Sequence, residues 1–331
     1  MVSRNGEAQA NFSPETCPAI AKCRAPPTSN SALSINLRAT GGNPSRPSSP
    51  MPTIDSQRGR VPQLAVMPSI VLSSAKCRMR VLILGGSSEA SALAGLLASN
   101  PAFEITLSLA GRTANPRPQP VPTRSGGFGG SAGLARFLEE NGIDAILDAT
   151  HPFASQMSRN AIEAAEATGT PLLAVERPTW RPTSQDNWTE VTDTAAAVAA
   201  LGDASRTVFC GIGRLALGEL AKAPQHRYVI RLIDAPEQPL GLPRVTVIQA
   251  TGPFTSEGDM ALFRDHGVEM VLAKNSGGSA TISKIEAARA LRLPIIMVNR
   301  PFIPPRPTVE TPALAIDWLN RFQTGAIERG V

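Results

Sequence analysis

The sequence predicts an α/β protein made of two Rossmann-like modules, each built on a parallel β-sheet, with a cleft between them. A disordered N-terminal extension is expected before the first module. Three observations predict this fold. From Met79 onward, short apolar runs alternate with amphipathic segments, as in parallel sheets covered by helices. Glycine-rich turns follow several of the apolar runs. Residues 1–78 contain 10 Pro and 12 Ser and show no helical or strand period, which is typical of disorder.

The chain has 331 residues, enough for two ordinary domains. We expect residues 1–78 to be a disordered extension that precedes the native start at Met79. A transit peptide is the weaker alternative, because Arg and Ser are plentiful there but three acidic residues interrupt them. We expect an NADPH-binding domain over residues 79–178. Residues 179–331 are then a second α/β domain that contributes to substrate binding.

Charge and cysteine content exclude several classes of protein. Residues 1–78 hold 9 Lys and Arg against 3 Asp and Glu, whereas the remainder holds 23 against 24, so the net charge of +5 belongs to the extension. Without a folded basic face or aromatic platform, nucleic acid is not an expected partner. No apolar run approaches the roughly 20 residues of a membrane span. Only Cys210 lies outside the extension, so we expect no disulfide framework, no metal site and a cytoplasmic location.

The predicted elements follow in order. Strands are expected in residues 81–84, 104–110, 143–150 and 171–176, with helices over 88–98, near 132–140 and after Phe153. The second module has strands near residues 207–213, 228–234, 245–251, 269–275 and 294–300. In such sheets ligands bind at the carboxyl ends of the strands. The loops after the first three strands should therefore face one crevice.

The loop after the first strand is similar to a dinucleotide-binding turn in which serine replaces the second glycine. Gly85 takes the first position, Ser87 the second and Ala90 the last. The hydroxyl of Ser87 could bond a phosphate oxygen, Gly86 keeps the turn flexible, and the N–H groups at the start of the next helix could hold a pyrophosphate. Purely structural Gly-Gly turns are also common. The candidate cofactor-binding residues here are Gly85, Gly86, Ser87, Ser88, Glu89 and Ala90.

The end of the second strand favours NADPH over NADH. Proteins that bind NAD usually place an acid there to accept the ribose 2′-OH, and NADP binders replace it with a cation. This sequence has no acid at that point. Ser108, Arg112 and Thr113 could surround a 2′-phosphate, with Gly111 beside them, and an arginine makes paired bonds to phosphate. The alternative for Arg112 is a solvated loop residue.

The third strand ends in DATHPFA, residues 148–154. Thr150 and His151 should emerge at the edge of the crevice, with Thr150 near the cofactor. His151 could donate a proton, bond the nicotinamide or substrate, or cap the following helix. The three roles remain open on sequence alone.

Several strand ends of the second module carry glycine with polar or cationic residues, namely residues 211–214, 251–254, 274–278 and 299–301. Each alone is typical of a turn. Together they indicate a cationic rim that could hold a large anion between the modules.

The motifs LGGSSEA, SLAGR, GGFGG, DATHPFA, ERPTW with Trp188, LAKNSGG and KIEAARALRLPIIMVNRP occur in order over residues 79–331. In this order the chain resembles the precorrin-6A reductase family, NADPH-dependent enzymes of corrin (vitamin B12) biosynthesis. DATHPFA and KNSGG are more specific than the glycine loop, and the extension has no counterpart in the family.

The resemblance implies hydride transfer from NADPH to a conjugated double bond of precorrin-6A, giving the dihydro product precorrin-6B. The substrate is a polycarboxylate tetrapyrrole, so cations and aromatic residues become candidate contacts. The candidate substrate-binding residues are Phe153, Arg177, Trp180, Arg214, Arg231, Phe254, Lys274, Asn275, Ser276, Gly277 and Arg300. His151 is the first candidate proton donor by its intrinsic pKa, with Lys274 or a bound water as alternatives.

Other functions stay open at this point. The substrate could be cobalt-precorrin-6A, or a different anion reduced by an NADP-dependent enzyme of the same two-module plan. The chain could also be an NADP-binding regulator without turnover. Neighbouring enzymes of the corrin pathway are candidate protein partners.

Overall fold

The structure is a computed structural model that describes residues 78–111, 117–236 and 238–328. The predicted disorder of the extension lies outside these residues, as do the predicted phosphate contacts of Arg112 and Thr113. In the part described, the prediction of two parallel-sheet α/β modules is confirmed. No helix within the described ranges is long and apolar enough to cross a membrane.

The first module is built from alternating strands and helices. In chain order these are β1 (Met79–Leu84), α1 (Ser88–Leu97), β2 (Phe103–Leu109), β3 (Thr123–Ser125), α2 (Gly130–Glu140), β4 (Ala145–Asp148), α3 (Ser155–Thr168) and β5 (Leu172–Val175). All pairings between these strands are parallel. β1 lies in the middle of the sheet, so both of its faces are covered. This explains why residues 81–84 are all apolar and fully buried.

The second module repeats the pattern. Its elements are β6 (Asn187–Val191), α4 (Thr194–Ala199), β7 (Thr207–Gly211), a 3₁₀ helix (Arg214–Lys222), β8 (Arg227–Leu232), β9 (Val245–Gln249), α5 (Ser256–Asp265), β10 (Met270–Lys274), α6 (Ser283–Ala290) and β11 (Pro294–Val298). The strand order is β6-β11-β10-β7-β8-β9, and every pairing is parallel.

The C-terminal segment returns to the first sheet. The short strand β12 (Thr308–Val309) pairs in parallel with β5, which gives the first sheet the order β12-β5-β4-β1-β2-β3. The helix α7 (Pro312–Glu328) packs against α1, and its Ala315 and Leu319 are fully buried in the first core. Residues 308–328, which the sequence places in the second domain, thus pair and pack with the first sheet. The segment thus provides β12 as a second hydrogen-bonding neighbour for β5 and α7 as apolar cover for α1.

Candidate functional site

The carboxyl ends of the two sheets meet. Phe153, which follows β4, packs against the core of the second sheet. Lys274 at the end of β10 lies with its Nζ 5.0 Å from the centroid of the Phe153 ring. The loops after β1, β4 and β5 thus share one region with the loops after β10 and β11. This junction contains the predicted site.

The loop after β1 is tightly fixed against β2. The N–H of Gly85 donates to the Ser108 carbonyl at 2.8 Å, and a Cβ on Gly85 would lie 2.8 Å from Leu107 Cδ1 and 3.3 Å from the Ser108 carbonyl oxygen. A side chain there would push aside the buried Leu107 side chain and crowd the Ser108 carbonyl, so the approach favours glycine. The residue predicted as the first glycine of a nucleotide loop therefore has the close packing that such a loop requires.

Ser87 has a different role from the one predicted. Its hydroxyl donates to the Ala149 carbonyl at 2.6 Å and accepts from the Ala90 N–H at 3.1 Å, so it caps α1. Its single proton is engaged in this conformation and is not offered to a phosphate. The N–H groups of the first turn of α1 remain suited to an anion.

An arginine links the two modules across the start of α1. Arg177, which follows β5, pairs with Glu89 at 2.7 Å and lies 3.3 Å from the Ser88 hydroxyl. Its Nε donates to the Ser276 carbonyl at 2.7 Å. The pair is mostly buried. Burial alone would raise the pKa of Glu89, but its contacts with Arg177 outweigh this and hold that pKa below its usual range. Arg177 and Glu89 therefore fix the junction, rather than standing open as a substrate anchor and a cofactor contact.

Arg124, on β3, is a cation beside the end of β2 that the sequence analysis did not single out. β3 runs beside β2 with Ser108 opposite Arg124, and Arg124 Nη1 donates to the Ser108 hydroxyl at 2.7 Å. Ser108 is only 5% exposed. The backbone at Gly111 passes close to Gly126, which brings the loop after β3 against the end of β2. Arg124 was missed because a three-residue strand leaves no periodic signal.

Thr150 is held inside the protein. Its hydroxyl donates to Asp148 Oδ1 at 2.7 Å, and its N–H donates to the same oxygen at 3.2 Å. Asp148 is buried and lies 3.5 Å from Arg306, which also pairs with Glu176. These contacts fix the turn that presents His151.

His151 lies at the junction as a neutral ring. Burial, and then the nearby charges of Arg177, Lys274 and Arg300, lower the pKa of His151 to about 4. Its Nδ1 accepts from the Phe153 N–H at 3.2 Å, so the neutral imidazole carries its proton on Nε2. The intrinsic pKa on which its predicted role as first proton donor rests is lost in the fold. A local turn contact and a hydrogen bond to a ligand remain compatible with this geometry.

Lys274 is a cation of the junction with no acidic partner among the described residues. Burial lowers the pKa of Lys274, and within the described residues its ammonium forms no ion pair or hydrogen bond. It lies in the same positive surroundings that lower the pKa of His151.

Trp180 and Asn275, both predicted as substrate contacts, are buried in this structure. The Trp180 side chain packs in the core of the second sheet and is 8% exposed, and its Nε1 donates to the Gly278 carbonyl at 2.8 Å. Asn275 is also buried and bonds both the N–H and the carbonyl of Trp180, at 2.9 and 3.0 Å. This pair holds the 275–278 loop against residues 177–180.

The conformation of the 275–278 loop requires glycine at position 277. Its φ is +67°, and a Cβ there would overlap the Pro178 carbonyl oxygen. The guanidinium of Arg300 fills the space alongside, donating to the carbonyls of Asn275, Ser276 and Arg177 at 3.1, 3.0 and 2.9 Å. Arg300 and Gly277 are therefore structural parts of the junction. The Ser276 hydroxyl lies 3.3 Å from that of Thr281.

Arg231 is also buried and bonded to other side chains of the protein. It pairs with the buried Asp259 at 2.7 Å, and its guanidinium lies 3.9 Å from the centroid of Phe254. The side chain of Arg231 is 9% exposed. Arg231, predicted as a substrate contact, is thus already paired with an acid, and Phe254 is partly exposed.

Some side chains at the carboxyl edge of the second sheet remain exposed to solvent. Arg214, at the start of the 3₁₀ helix, is exposed. Three apolar side chains near the same edge are also exposed: Leu215 at 75%, Ile233 at 55% and Phe302 at 77%. They were missed because their sequence positions resemble ordinary ends of buried strands. Phe302 also borders a cavity of about 260 Å³, which is lined by Pro152, Glu176, Arg300, Pro301, Phe302, Ile303 and Arg306.

Comparisons with known proteins match this arrangement. Residues 80–320 match the family model described as precorrin-6x reductase CbiJ/CobK. A precorrin-6A reductase of Rhodobacter capsulatus is 48% identical over 76% of this chain and 99% of its own length. One from Sinorhizobium sp. is 50% identical over 70% of this chain and 89% of its own. The solved structure of CobK precorrin-6A reductase is 48% identical, with a TM-score of 0.71, over 73% of this chain and 96% of that one.

Proposed function

Because this chain belongs to the precorrin-6x reductase family, we propose that it is the oxidoreductase that reduces precorrin-6A to its dihydro product, precorrin-6B. The observation that carries the proposal is family membership over nearly the whole of both modules. The reduction uses a nicotinamide cofactor, and we propose NADPH as that cofactor.

The first module fits a dinucleotide. Gly85 lies so close to β2 that a Cβ would crowd the Leu107 side chain and the Ser108 carbonyl, and α1 begins three residues later. These are the two features by which a parallel sheet holds a pyrophosphate at the end of its first strand. Arg177 neutralises the carboxylate of Glu89 in that first turn. Without that pairing, Glu89 would repel a phosphate.

The end of β2 supports NADPH rather than NADH. The position where an acid would accept the ribose 2′-OH has Ser108, with the guanidinium of Arg124 bonded to it. Arg112, predicted as a 2′-phosphate contact, follows in the chain.

The second module supports a large anionic substrate. Arg214 is exposed and Lys274 has no acidic partner among the described residues, so both can bind carboxylates. The exposed Leu215, Ile233 and Phe302 can cover an apolar macrocycle. Arg177, Lys274 and Arg300 lie close enough to His151 to act on its charge, and a group of cations attracts a polycarboxylate.

The chemistry divides between cofactor and protein. The bound nicotinamide supplies the hydride, and the chain must position it against the macrocycle and exclude water. The reduction also adds one proton to the neighbouring atom. We assign its delivery to the ammonium of Lys274, because His151 is neutral in the fold.

The test is to mix the purified protein with NADPH and precorrin-6A and to follow the absorbance of both reactants. We expect NADPH oxidation in step with the change in the tetrapyrrole spectrum. Both compared relatives are named for precorrin-6A without cobalt, so cobalt-precorrin-6A should react more slowly. Tight NADPH binding without turnover on either substrate would instead support the alternative that this chain is an NADP-binding regulator.

A further inference from the structure

Arg124 lies where the adenosine end of the cofactor is expected. The ribose 2′ group of a dinucleotide lies beyond the carboxyl end of the second strand. β3 brings Arg124 into register with Ser108 at that end. The Ser108 carbonyl in turn accepts from the N–H of Gly85. The guanidinium is thus connected through one residue to the loop that would hold the pyrophosphate.

The guanidinium is held rigidly. Besides the bond to Ser108, its Nη1 donates to the Gly126 carbonyl at 3.1 Å and its Nη2 to the Gly127 carbonyl at 3.0 Å. The ring of Phe128 stacks on it, with 3.9 Å from Cζ to the ring centroid. A fixed guanidinium loses little side-chain entropy when it binds a phosphate.

The charge of Arg124 is not neutralised by the parts of the chain that the structure describes. All three of its oxygen partners are uncharged, whereas Arg177 and Arg306 each pair with a carboxylate. Three of its five N–H donors are engaged, which leaves two for a ligand. Burial lowers the pKa of Arg124, as expected for a cation without an acidic partner.

We propose that Arg124 is a specificity-determining residue that binds the 2′-phosphate of NADP(H), with Ser108 as the positioning residue that aims its guanidinium. This inference rests on the proposed function. It replaces the direct phosphate contact predicted for Ser108 by an indirect one, since that side chain is buried.

The inference is tested by calorimetry on the full chain with four probes: NADP⁺, NAD⁺, adenosine 2′,5′-bisphosphate and 5′-AMP. In Arg124→Gln, affinity for the two probes that carry a 2′-phosphate should fall by about 10–100-fold, the usual loss for a charge-assisted contact. Affinity for NAD⁺ and 5′-AMP should stay as in the wild type. Arg136→Gln is the matched control, because it removes the same charge from an exposed site on α2 and should alter none of the four.

Ser108→Ala is a second variant that tests the same contact in case Arg124→Gln does not fold. It removes one hydroxyl, and we expect a loss of about 3–10-fold that is again confined to the probes with a 2′-phosphate. The salt dependence of NADP⁺ binding should also be shallower in Arg124→Gln than in the wild type.

The outcomes separate the proposals. If the wild type prefers NADP⁺ and Arg124→Gln keeps that preference, this inference is wrong and the choice of NADPH stands. If the variant weakens all four probes equally, Arg124 is only a structural brace. If the wild type has no preference for a 2′-phosphate, the choice of NADPH falls together with this inference.

Discussion

Single residues at the junction have properties that their types alone do not predict. His151 is a neutral ring inside a group of cations, and Arg177 and Arg300 bind protein carbonyls. Such contacts join residues that lie far apart in the chain, so no local pattern in the sequence reveals them. Only the fold decides which cation stays available to a ligand.

The pKa of His151 gives a prediction for stability. The unfolded chain takes up this proton near pH 6.5, whereas the folded protein does so only at about 4. The unfolded state binds more protons between these values, so the free energy of unfolding should fall as the pH is lowered through that window. His151→Gln should remove a part of this fall, on the order of 2 kcal/mol.

Urea unfolding of both proteins at pH 7 and pH 4.5 measures that difference, and an NMR titration reads the His151 pKa directly. An ordinary pKa for His151 in the free protein would contradict the neutral ring.

Lys274 gives a prediction for turnover. If its ammonium delivers the proton, Lys274→Met should lower kcat by roughly 10²–10⁴-fold, the usual range for general acid catalysis. The fall of kcat at high pH, where Lys274 loses its proton, should vanish from the profile of the variant. His151→Gln should change kcat by less than about tenfold.

Lys222→Met is the control for charge, because Lys222 is exposed on the 3₁₀ helix and pairs only with Glu219. A variant Lys274→Met that raises KM and leaves kcat intact would assign Lys274 to substrate binding alone.

At the scale of elements, the sequence predicts the strands with continuous apolar runs and misses the others. β1, β4 and β10 are buried along most of their length, and such runs are recognisable because both faces of an inner parallel strand are covered. β3 and β12 have only three and two residues. β6 is an edge strand with mostly polar, partly exposed positions. These three elements depend on a neighbouring strand rather than on their own pattern.

The loop after β10 gives a prediction for an element. Gly277→Ala forces a side chain into a left-handed φ of +67° and against the Pro178 carbonyl. We expect it to lower the free energy of unfolding on the order of 2 kcal/mol. Gly218→Ala is the control, since a Cβ there meets nothing within 4 Å. Urea unfolding compares the two, and an equal cost for both variants would argue against the tight junction.

At the scale of the whole molecule, the chain crosses between the modules twice, once after β5 and once after β11. The C-terminal helix therefore stabilises the half of the protein from which it is most distant in sequence. The sequence predicts two modules but not this return, because a helix shows which of its faces is apolar without showing which core that face meets.

Leu319 gives a prediction for this return. Leu319→Ala should lower the free energy of unfolding by about 2–5 kcal/mol, because the residue is fully buried in the first core. Leu314→Ala, on the same helix but 46% exposed, should cost less than about 1 kcal/mol. Both are measured by urea unfolding. Similar costs at the two positions would show that α7 is not part of that core.

The return of β12 and α7 also bears on synthesis at the ribosome. The second sheet has all its strands once β11 has emerged at Val298. The first sheet still lacks β12, which covers the outer edge of β5, and its core lacks Ala315 and Leu319, until residues 308–319 are translated. An unpaired strand edge and an uncovered apolar face favour association with other chains. Although domains usually fold in the order of their synthesis, here the module that begins second can be completed first.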